Sequence, residues 1–79
     1  MRVEIYTKPD CPLCDEGKAL LEEAQDQLGF ELVAHNILTR DDWFAAYRYF
    51  VPVVFIDGVR ALQLRFTAAE LAEALKPRP

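Results

Sequence analysis

Hydrophobic and polar residues follow two different periods along the first half of the chain. Residues 2–7 alternate between polar and apolar side chains and are rich in β-branched and aromatic types, which predicts a β-strand. From Pro12, apolar residues recur at helical spacing as far as Leu28, with a proline in the first turn and Gly29 as the stop. Residues 30–35 predict a second strand. A strand–helix–strand unit of this length favours two parallel strands joined by a right-handed crossover.

The fourth predicted element is a second helix that begins at a polar tetrapeptide. Residues 39–42 (Thr-Arg-Asp-Asp) resemble a capping box with Asp in place of Glu, and this predicts the start of a second helix. Its apolar stripe is formed by Trp43, Phe44, Tyr47 and Phe50. These aromatic residues, together with Tyr49, exceed what one short helix needs to bury. We expect most of them to fill the core and some to form an exposed apolar patch for a protein partner.

A hairpin and a last helix complete the pattern. Residues 53–56 are continuously apolar, and Asp57-Gly58 suits a tight turn into a second strand at residues 59–64. Residues 67–70 (Thr-Ala-Ala-Glu) form a full capping box that opens a helix, which Pro77 ends. The predicted order is β-α-β-α-β-β-α, an α/β protein.

Length and charge narrow the function classes. A chain of 79 residues is expected to form a single domain over residues 1–79, since two cores would leave each half too small to fold. The formal net charge of −4 argues against nucleic acid as a partner. The N-terminus lacks a basic lead before a long apolar stretch, and the longest apolar run, residues 50–56, is too short to span a bilayer. We therefore expect a soluble, cytoplasmic protein with no membrane partner.

The strongest chemical signal is the sequence Cys11-Pro12-Leu13-Cys14 at the start of the first predicted helix. Three-residue spacing there puts both sulfur atoms on one side of the first turn, where they can form a disulfide. Helix N–H groups and the helix dipole stabilise a thiolate, and thiols in such motifs have pKa values of about 3.5–7.5. Cys11 is the predicted nucleophile and Cys14, one turn deeper, the resolving thiol. Pro12 stiffens the turn.

A metal site is the competing interpretation of the two cysteines. A closed zinc site needs four ligands, and this chain offers two thiols and one distant imidazole, His35. We therefore predict no metal site within one chain, because zinc would require a second chain. His35, near the end of a predicted strand, is expected to be a packed or surface residue rather than a catalytic base.

Several segments together resemble bacterial glutaredoxins. They are residues 3–8 (Val-Glu-Ile-Tyr-Thr-Lys), the Cys11–Cys14 motif, residues 18–21 (Lys-Ala-Leu-Leu) and residues 51–58 (Val-Pro-Val-Val-Phe-Ile-Asp-Gly). The resemblance covers nearly the whole chain and implies a thioredoxin-like, glutaredoxin-type fold with a four-stranded mixed sheet. It also implies a cis-proline at Pro52 beside the cysteines and a carboxylate-binding role for Lys8. The substrate-binding residues expected on this basis are Lys8, Pro12, Leu13, Val51 and Pro52.

The chain departs from the glutaredoxin pattern after its last strand. Glutaredoxins usually carry a glycine pair there, followed by acidic residues that hold glutathione, whereas residues 63–67 read Gln-Leu-Arg-Phe-Thr. The helix N-terminus at Thr67 remains a candidate for binding an anionic group. Leu13 replaces the family's central tyrosine, which makes the edge of the site more apolar. Ile5 stands where thioredoxins bury an acidic residue, so water or the departing thiolate must take the proton of Cys14.

The resemblance and the cysteine motif together predict a thiol–disulfide oxidoreductase that reduces protein disulfides or glutathione mixed disulfides. We expect a monomer with no tightly bound cofactor. The sequence leaves open whether glutathione is a co-substrate, and the electron donor is expected to be a reductase or a dithiol protein. The alternative is a redox-inactive binding module that shares a metal ion or an iron–sulfur cluster between two chains.

Overall fold

The protein is described here by a computed structural model of residues 1–77, and Arg78 and Pro79 lie outside the described residues. The elements are β1 (Arg2–Thr7), α1 (Pro12–Leu28), β2 (Glu31–Asn36), a 3-10 helix (Ile37–Thr39), α2 (Asp41–Tyr47), β3 (Val53–Ile56), β4 (Val59–Gln63) and α3 (Ala68–Ala74). Apart from the 3-10 helix, this is the predicted order. In residues 1–77, no helix is long and apolar enough to cross a membrane.

The four strands form one mixed sheet in the order β2-β1-β3-β4. Strand β1 runs parallel to β2 and antiparallel to β3, and β3 pairs antiparallel with β4. At the centre of β1, Ile5 lies opposite Ala34 on one side and Val54 on the other. The predicted parallel crossover, the hairpin and the thioredoxin-like α/β fold are thus confirmed.

The alternation along β1 gives the sheet two different faces. Val3 and Ile5 are fully buried in a cluster that includes Leu21 of α1 and Leu71 of α3. On the opposite face, the ring of Tyr6 lies against the side chains of α2, 5.4 Å from Trp43 and 4.6 Å from Tyr47 between ring centroids. Helices α1 and α3 therefore cover one face, and α2 covers the other.

The ends of α1 and α3 follow from local chemistry. At the end of α1, Gly29 adopts a left-handed conformation (φ 73°), and its N–H donates to the Gln25 carbonyl at 2.7 Å. At the start of α3, the Glu70 N–H donates to Thr67 Oγ1, and the Thr67 N–H donates to a Glu70 carboxylate oxygen. The predicted helix stop and the capping box at residues 67–70 are both present.

The predicted capping box at residues 39–42 is wrong. Thr39 ends the 3-10 helix, and its hydroxyl donates to the Asn36 carbonyl at 2.7 Å instead of capping α2. Asp42 accepts hydrogen bonds from the Arg40 guanidinium, so its carboxylate does not reach back either. Helix α2 therefore begins at Asp41 without a side-chain cap. Phe50, which was predicted to belong to the helical stripe, lies beyond the end of α2.

Three strand limits differ from the prediction by one residue, at both ends of β2 and at the end of β4. Strand β2 begins at Glu31 because Phe30 packs into the core, where it is 5% exposed, and its carbonyl accepts the Gln25 amide N–H. Strand β4 ends at Gln63 because Leu64 turns into a left-handed conformation (φ 61°). The Leu64 N–H then donates to the carbonyls of Phe50 and Pro52 instead of extending the hairpin.

Candidate active site

The two cysteines lie where the loop after β1 enters α1. Cys11 is the N-cap of α1, with an extended backbone, and Cys14 lies one turn further along the helix. Their sulfur atoms form a disulfide, and their Cα atoms are 5.2 Å apart, a normal separation for such a bond. Cys11 is 8% exposed and Cys14 is 2% exposed, so the second cysteine is the less accessible of the two.

The first turn of α1 directs polar hydrogens at Cys11. The Cys14 N–H donates to Cys11 Sγ at 3.2 Å, and the Asp15 N–H donates to the Cys11 carbonyl at 3.1 Å. Pro12 occupies the first helical turn, where its missing N–H leaves no donor unsatisfied. A negatively charged sulfur at this position is stabilised by both the N–H group and the positive end of the helix.

The disulfide belongs to a small apolar cluster at the edge of the sheet. Its buried members are Cys11, Cys14, Ile37 and Val51, and its partly buried members are Tyr6, Leu13, Trp43 and Tyr47. Of the predicted substrate-binding residues, the structure thus brings Leu13 and Val51 into the same cluster as the cysteines. Leu13 is half-buried, whereas Val51 is 5% exposed.

Pro52 lies beneath this cluster and packs against α1. Its side chain is fully buried, and the Val51–Pro52 peptide bond is cis. A Cβ atom placed on Gly17 would lie 3.2 Å from Pro52 Cγ and 3.2 Å from Phe66 Cζ. In the sequence, Gly17 falls at the helical spacing of the apolar positions of α1. A glycine inside a helix costs about 1 kcal/mol of stability relative to alanine. Its presence in α1 was therefore the feature of the sequence that could have indicated a close contact at this position.

The backbone of Val51 differs from that of its neighbours. The carbonyls of Phe50 and Pro52 both accept the Leu64 N–H, at 3.2 and 2.9 Å. Within residues 1–77, neither the N–H nor the carbonyl of Val51 has a hydrogen-bond partner in the protein. Val51, which shares the apolar cluster with Cys11, therefore carries one backbone donor and one backbone acceptor without a partner among these residues.

Lys8 and Pro12 lie on the exposed surface around the cysteines. Lys8 is exposed, three residues before Cys11, and within the described part of the chain no carboxylate lies within 4.0 Å of its ammonium group. Pro12 is also exposed. Both residues are accessible to a substrate, although the structure does not place Lys8 in the apolar cluster of the cysteines.

Within residues 1–77, no buried acid or base accompanies the cysteines. Among the described residues, none of the buried side chains is polar or charged, and Ile5 is fully buried. His35 packs instead on the α2 face of the sheet, with its Nε2 atom 2.8 Å from a Glu4 carboxylate oxygen. Its ring centroid lies 4.7 Å from that of Tyr6 and 4.8 Å from that of Trp43. Burial, and then the neighbouring Glu4 charge, raise the pKa of Tyr6 above its usual value.

The helix N-terminus at Thr67 does not offer the anion site considered from the sequence. The Glu70 carboxylate already accepts the Thr67 N–H at 3.0 Å and places a negative charge at the start of α3. A second anion would be repelled by that carboxylate. In residues 1–77 there is also no group of three or more His, Cys, Asp or Glu side chains arranged to hold a metal ion.

Comparisons with known proteins agree with the fold. A protein from Methanothermobacter thermautotrophicus described as a probable thioredoxin is 30% identical over 78 residues, which cover 95% of this chain and 87% of the relative. The X-ray structure of a structural genomics target from X. campestris superposes with a TM-score of 0.81 at 30% identity, covering 98% and 99% of the two chains.

A second solved structure, thioredoxin 1 from Thermosipho africanus, has a TM-score of 0.71 at 15% identity and covers 95% of this chain and 90% of that protein. At that identity, the likeness supports the fold alone. The shared fold and the Cys11–Cys14 pair support a thiol redox role in general terms. Residues 2–76 match the family described as the glutaredoxin-like domain (DUF836). The chain therefore belongs to the glutaredoxin-like domain family.

Proposed function

We propose that this protein is a thiol–disulfide oxidoreductase that reduces disulfide bonds in other proteins through Cys11 and Cys14. The observation that carries the proposal is the position of Cys11 at the N-cap of α1, where its sulfur accepts the Cys14 N–H at 3.2 Å. This hydrogen bond and the positive end of the helix favour the thiolate over the thiol. The thiolate is the nucleophile in disulfide exchange.

The reaction transfers two electrons from the protein to its substrate. In the reduced protein, the Cys11 thiolate attacks one sulfur of the substrate disulfide, forms a mixed disulfide and displaces the other sulfur as a thiolate. Cys14 then loses its proton, attacks Cys11 Sγ and releases the second substrate thiolate. The Cys11–Cys14 disulfide that remains is the state seen in the structure. With no buried acid or base in residues 1–77, the Cys14 proton passes to water or to the departing thiolate.

The residues around the disulfide are assigned to substrate binding. The N–H and carbonyl of Val51 pair with an extended segment of the substrate, because they have no partner among the described residues and lie beside Cys11. Leu13 and Pro12 provide an apolar contact next to the reactive sulfur. Pro52 supports Val51 from below, and the exposed Lys8 attracts a carboxylate of the substrate.

The proposed electron donor is a reductase or another dithiol protein rather than glutathione. Two observations support this choice. Residues 63–67 lack the glycine pair that glutaredoxins usually carry there, and the Glu70 carboxylate occupies the start of α3. The proposed site of action is the cytoplasm, where cysteine pairs serve redox chemistry more often than structural bonding. The protein is proposed to act as a monomer without a bound cofactor.

Serine substitutions at the two cysteines test the proposal. Cys11→Ser is expected to abolish reduction of a protein disulfide such as that of insulin, because it removes the nucleophile. Cys14→Ser is expected to accumulate a mixed disulfide with the substrate, measured by mass spectrometry under non-reducing conditions. Equal trapping by both variants would contradict the assigned roles.

Two further measurements separate the proposal from its alternatives. Thiolate absorbance of the reduced protein against pH should show one sulfur titrating below the value of about 8.5 of a free cysteine. Reduction of a glutathione mixed disulfide by the wild-type protein should be slow, because residues 63–67 lack the glycine pair of glutaredoxins. Tight, saturable glutathione binding would overturn the choice of donor, and a visible absorption band or stoichiometric metal after purification would favour the binding-module alternative.

A further inference from the structure

A surface of aromatic rings and arginines lies beside the segment that leads into Val51. We define the arginine–aromatic surface as Phe44, Arg48, Tyr49, Phe50 and Arg60. The Arg48 guanidinium carbon lies 5.4 Å from the ring centroid of Phe44 and 4.6 Å from that of Tyr49. The Arg60 guanidinium carbon lies 5.3 Å from the ring centroid of Phe50. Both cations are thus held over aromatic faces.

This surface is more exposed than packing of α2 would require. Tyr49 is 70% exposed, Phe50 is 40% exposed and Phe44 is 38% exposed. Helix α2 itself contributes no buried residue to the fold. Aromatic side chains and arginines held in this way are the residue types that dominate binding at protein interfaces.

The positive charge of the surface is not neutralised within the described part of the chain. There, no carboxylate lies within 4.0 Å of the side-chain nitrogens of Arg48 or Arg60. Two nearby acids are engaged elsewhere. Asp42 bonds to Arg40, which lowers the pKa of that carboxyl, and Asp57 accepts the Arg2 backbone N–H at 2.8 Å.

The two arginines therefore keep donors available. Arg60 donates one hydrogen bond, to the Gln63 side-chain oxygen, and its remaining N–H groups have no side-chain partner among residues 1–77. A guanidinium stacked on a ring still presents its N–H donors in its own plane. Each arginine can therefore donate two hydrogen bonds to one carboxylate in a bidentate pair.

Charge is distributed unequally around the cysteines. Helix α1, which starts directly after Cys11, carries five acidic residues and one lysine. On the other side, Phe50 of the arginine–aromatic surface precedes Val51, which shares the apolar cluster with Cys11. An acidic segment of a substrate is repelled by α1 and attracted to the arginine–aromatic surface. Its charge therefore favours binding over that surface rather than over α1.

We infer that the arginine–aromatic surface selects protein substrates with acidic and apolar residues next to their disulfide. Asp or Glu side chains of the substrate pair with Arg48 and Arg60, and its apolar side chains lie on the rings of Tyr49 and Phe50. This inference rests on the proposed function, since it names the class of protein disulfide that Cys11 attacks. A long polyanion such as nucleic acid is a poorer fit, because the whole chain carries a net charge of −4.

The test uses three disulfide-bonded peptides that differ only in the residues flanking their cysteines, which are acidic, neutral or basic. The wild-type protein should reduce the acidic peptide with the highest kcat/KM, and added salt should narrow the difference. In the double variant Arg48→Gln/Arg60→Gln, kcat/KM for the acidic peptide should fall about tenfold, mainly through KM. Lys18→Gln, which removes one exposed cation from α1, is the matched control and should not reduce that preference.

A charge-reversed variant and a binding measurement make the outcome decisive. Arg48→Glu/Arg60→Glu should prefer the basic peptide. Binding of an acidic peptide with serine in place of its cysteines should weaken in the Gln double variant, and this readout does not depend on catalysis. Equal kcat/KM for the three peptides in the wild-type protein would overturn the inference alone. Failure to reduce any peptide would overturn the proposed function. Binding of the serine-substituted acidic peptide would then test the arginine–aromatic surface independently of catalysis.

Discussion

The two apolar clusters of this protein differ in composition and in how completely they are closed. The first lies between the sheet and helices α1 and α3, and its buried members are Val3, Ile5, Leu21, Phe30, Val54, Phe66, Leu71 and Leu75. The second lies around the disulfide and is bordered by partly buried side chains, three of them aromatic rings. Four of the eight buried members of the first cluster are fully buried, against one of the four in the second. The second keeps an open border at Leu13, beside the reactive sulfur.

This difference shows how one helix can serve both stability and chemistry. Leu21 of α1 is fully buried in the first cluster, whereas Cys11 and Cys14 at the start of the same helix belong to the second. Gly17 lies between them and touches both, since Phe66 belongs to the first cluster and Pro52 adjoins the second. The first cluster therefore fixes the position of α1, and the position of α1 fixes the position of the sulfur atoms.

The largest difference in the free energy of unfolding is expected between leucine-to-alanine substitutions at two positions of α1. Leu21→Ala removes a fully buried side chain from the first cluster and should lower the free energy of unfolding by about 2–5 kcal/mol. Leu13→Ala removes a half-buried side chain from the border of the second cluster and should cost under about 1 kcal/mol, while raising the KM for protein disulfides. Urea denaturation and disulfide-reduction kinetics measure the two effects.

The comparison between the clusters fails if both alanine variants lose the same stability. The loss expected for Leu21→Ala approaches the whole free energy of unfolding of a small domain, so Leu21→Val provides a milder variant at the same position. It should lie between the wild-type protein and Leu21→Ala in urea, with kinetics for a neutral disulfide close to those of the wild-type protein.

A substitution at the contact between the clusters should have an intermediate effect. Gly17→Val places a branched side chain against Phe66 and Pro52, where even a Cβ atom would lie only 3.2 Å from each. Overpacking of this kind should lower the free energy of unfolding by about 1–3 kcal/mol and displace the Pro52 side chain from α1. The control is Ala19→Val, because Ala19 is exposed on the same helix and tests helix propensity alone. Helix propensity alone would make Ala19→Val less stable and Gly17→Val more stable than the wild-type protein, so a gain of stability in Gly17→Val would show that Gly17 is not a close contact.

The parts of the structure that the sequence predicted correctly are those determined by local chemistry. The period of two in β1, the proline and glycine that limit α1, the tight turn at Asp57-Gly58 and the capping box at Thr67 all act over a few neighbouring residues. The same local chemistry placed the two cysteines on one helical turn. Their pairing in the structure agrees with that prediction.

The features that the sequence did not predict depend either on competition between neighbouring side chains or on contacts between positions far apart in the chain. Thr39 and Asp42 match a capping box locally, but Asn36 and Arg40 compete for their side chains. Contacts of Gly17 with Pro52 join positions far apart in the chain, which a helical pattern cannot specify. The charge of Glu70 at the start of α3 belongs to the same capping box that was predicted. Its consequence for anion binding was missed, because the box was considered only as a helix start.

The smallest effect is expected at Leu64, behind the segment that carries Val51. Leu64 has φ 61°, a left-handed conformation that costs a non-glycine residue about 1–2 kcal/mol. Leu64→Gly removes this cost, but the greater conformational entropy of glycine in the unfolded chain lowers the free energy of unfolding by about 0.5–1 kcal/mol. Urea denaturation should therefore show a net stabilisation of about 0.5–1 kcal/mol. Asp10→Gly, at φ 55°, is the matched control and should gain less, because aspartate tolerates this conformation better than leucine. A loss of stability in Leu64→Gly would show instead that the Leu64 side chain contributes more by packing than its backbone costs. The border around Val51 would then be held by side-chain contacts as well as by the Leu64 N–H.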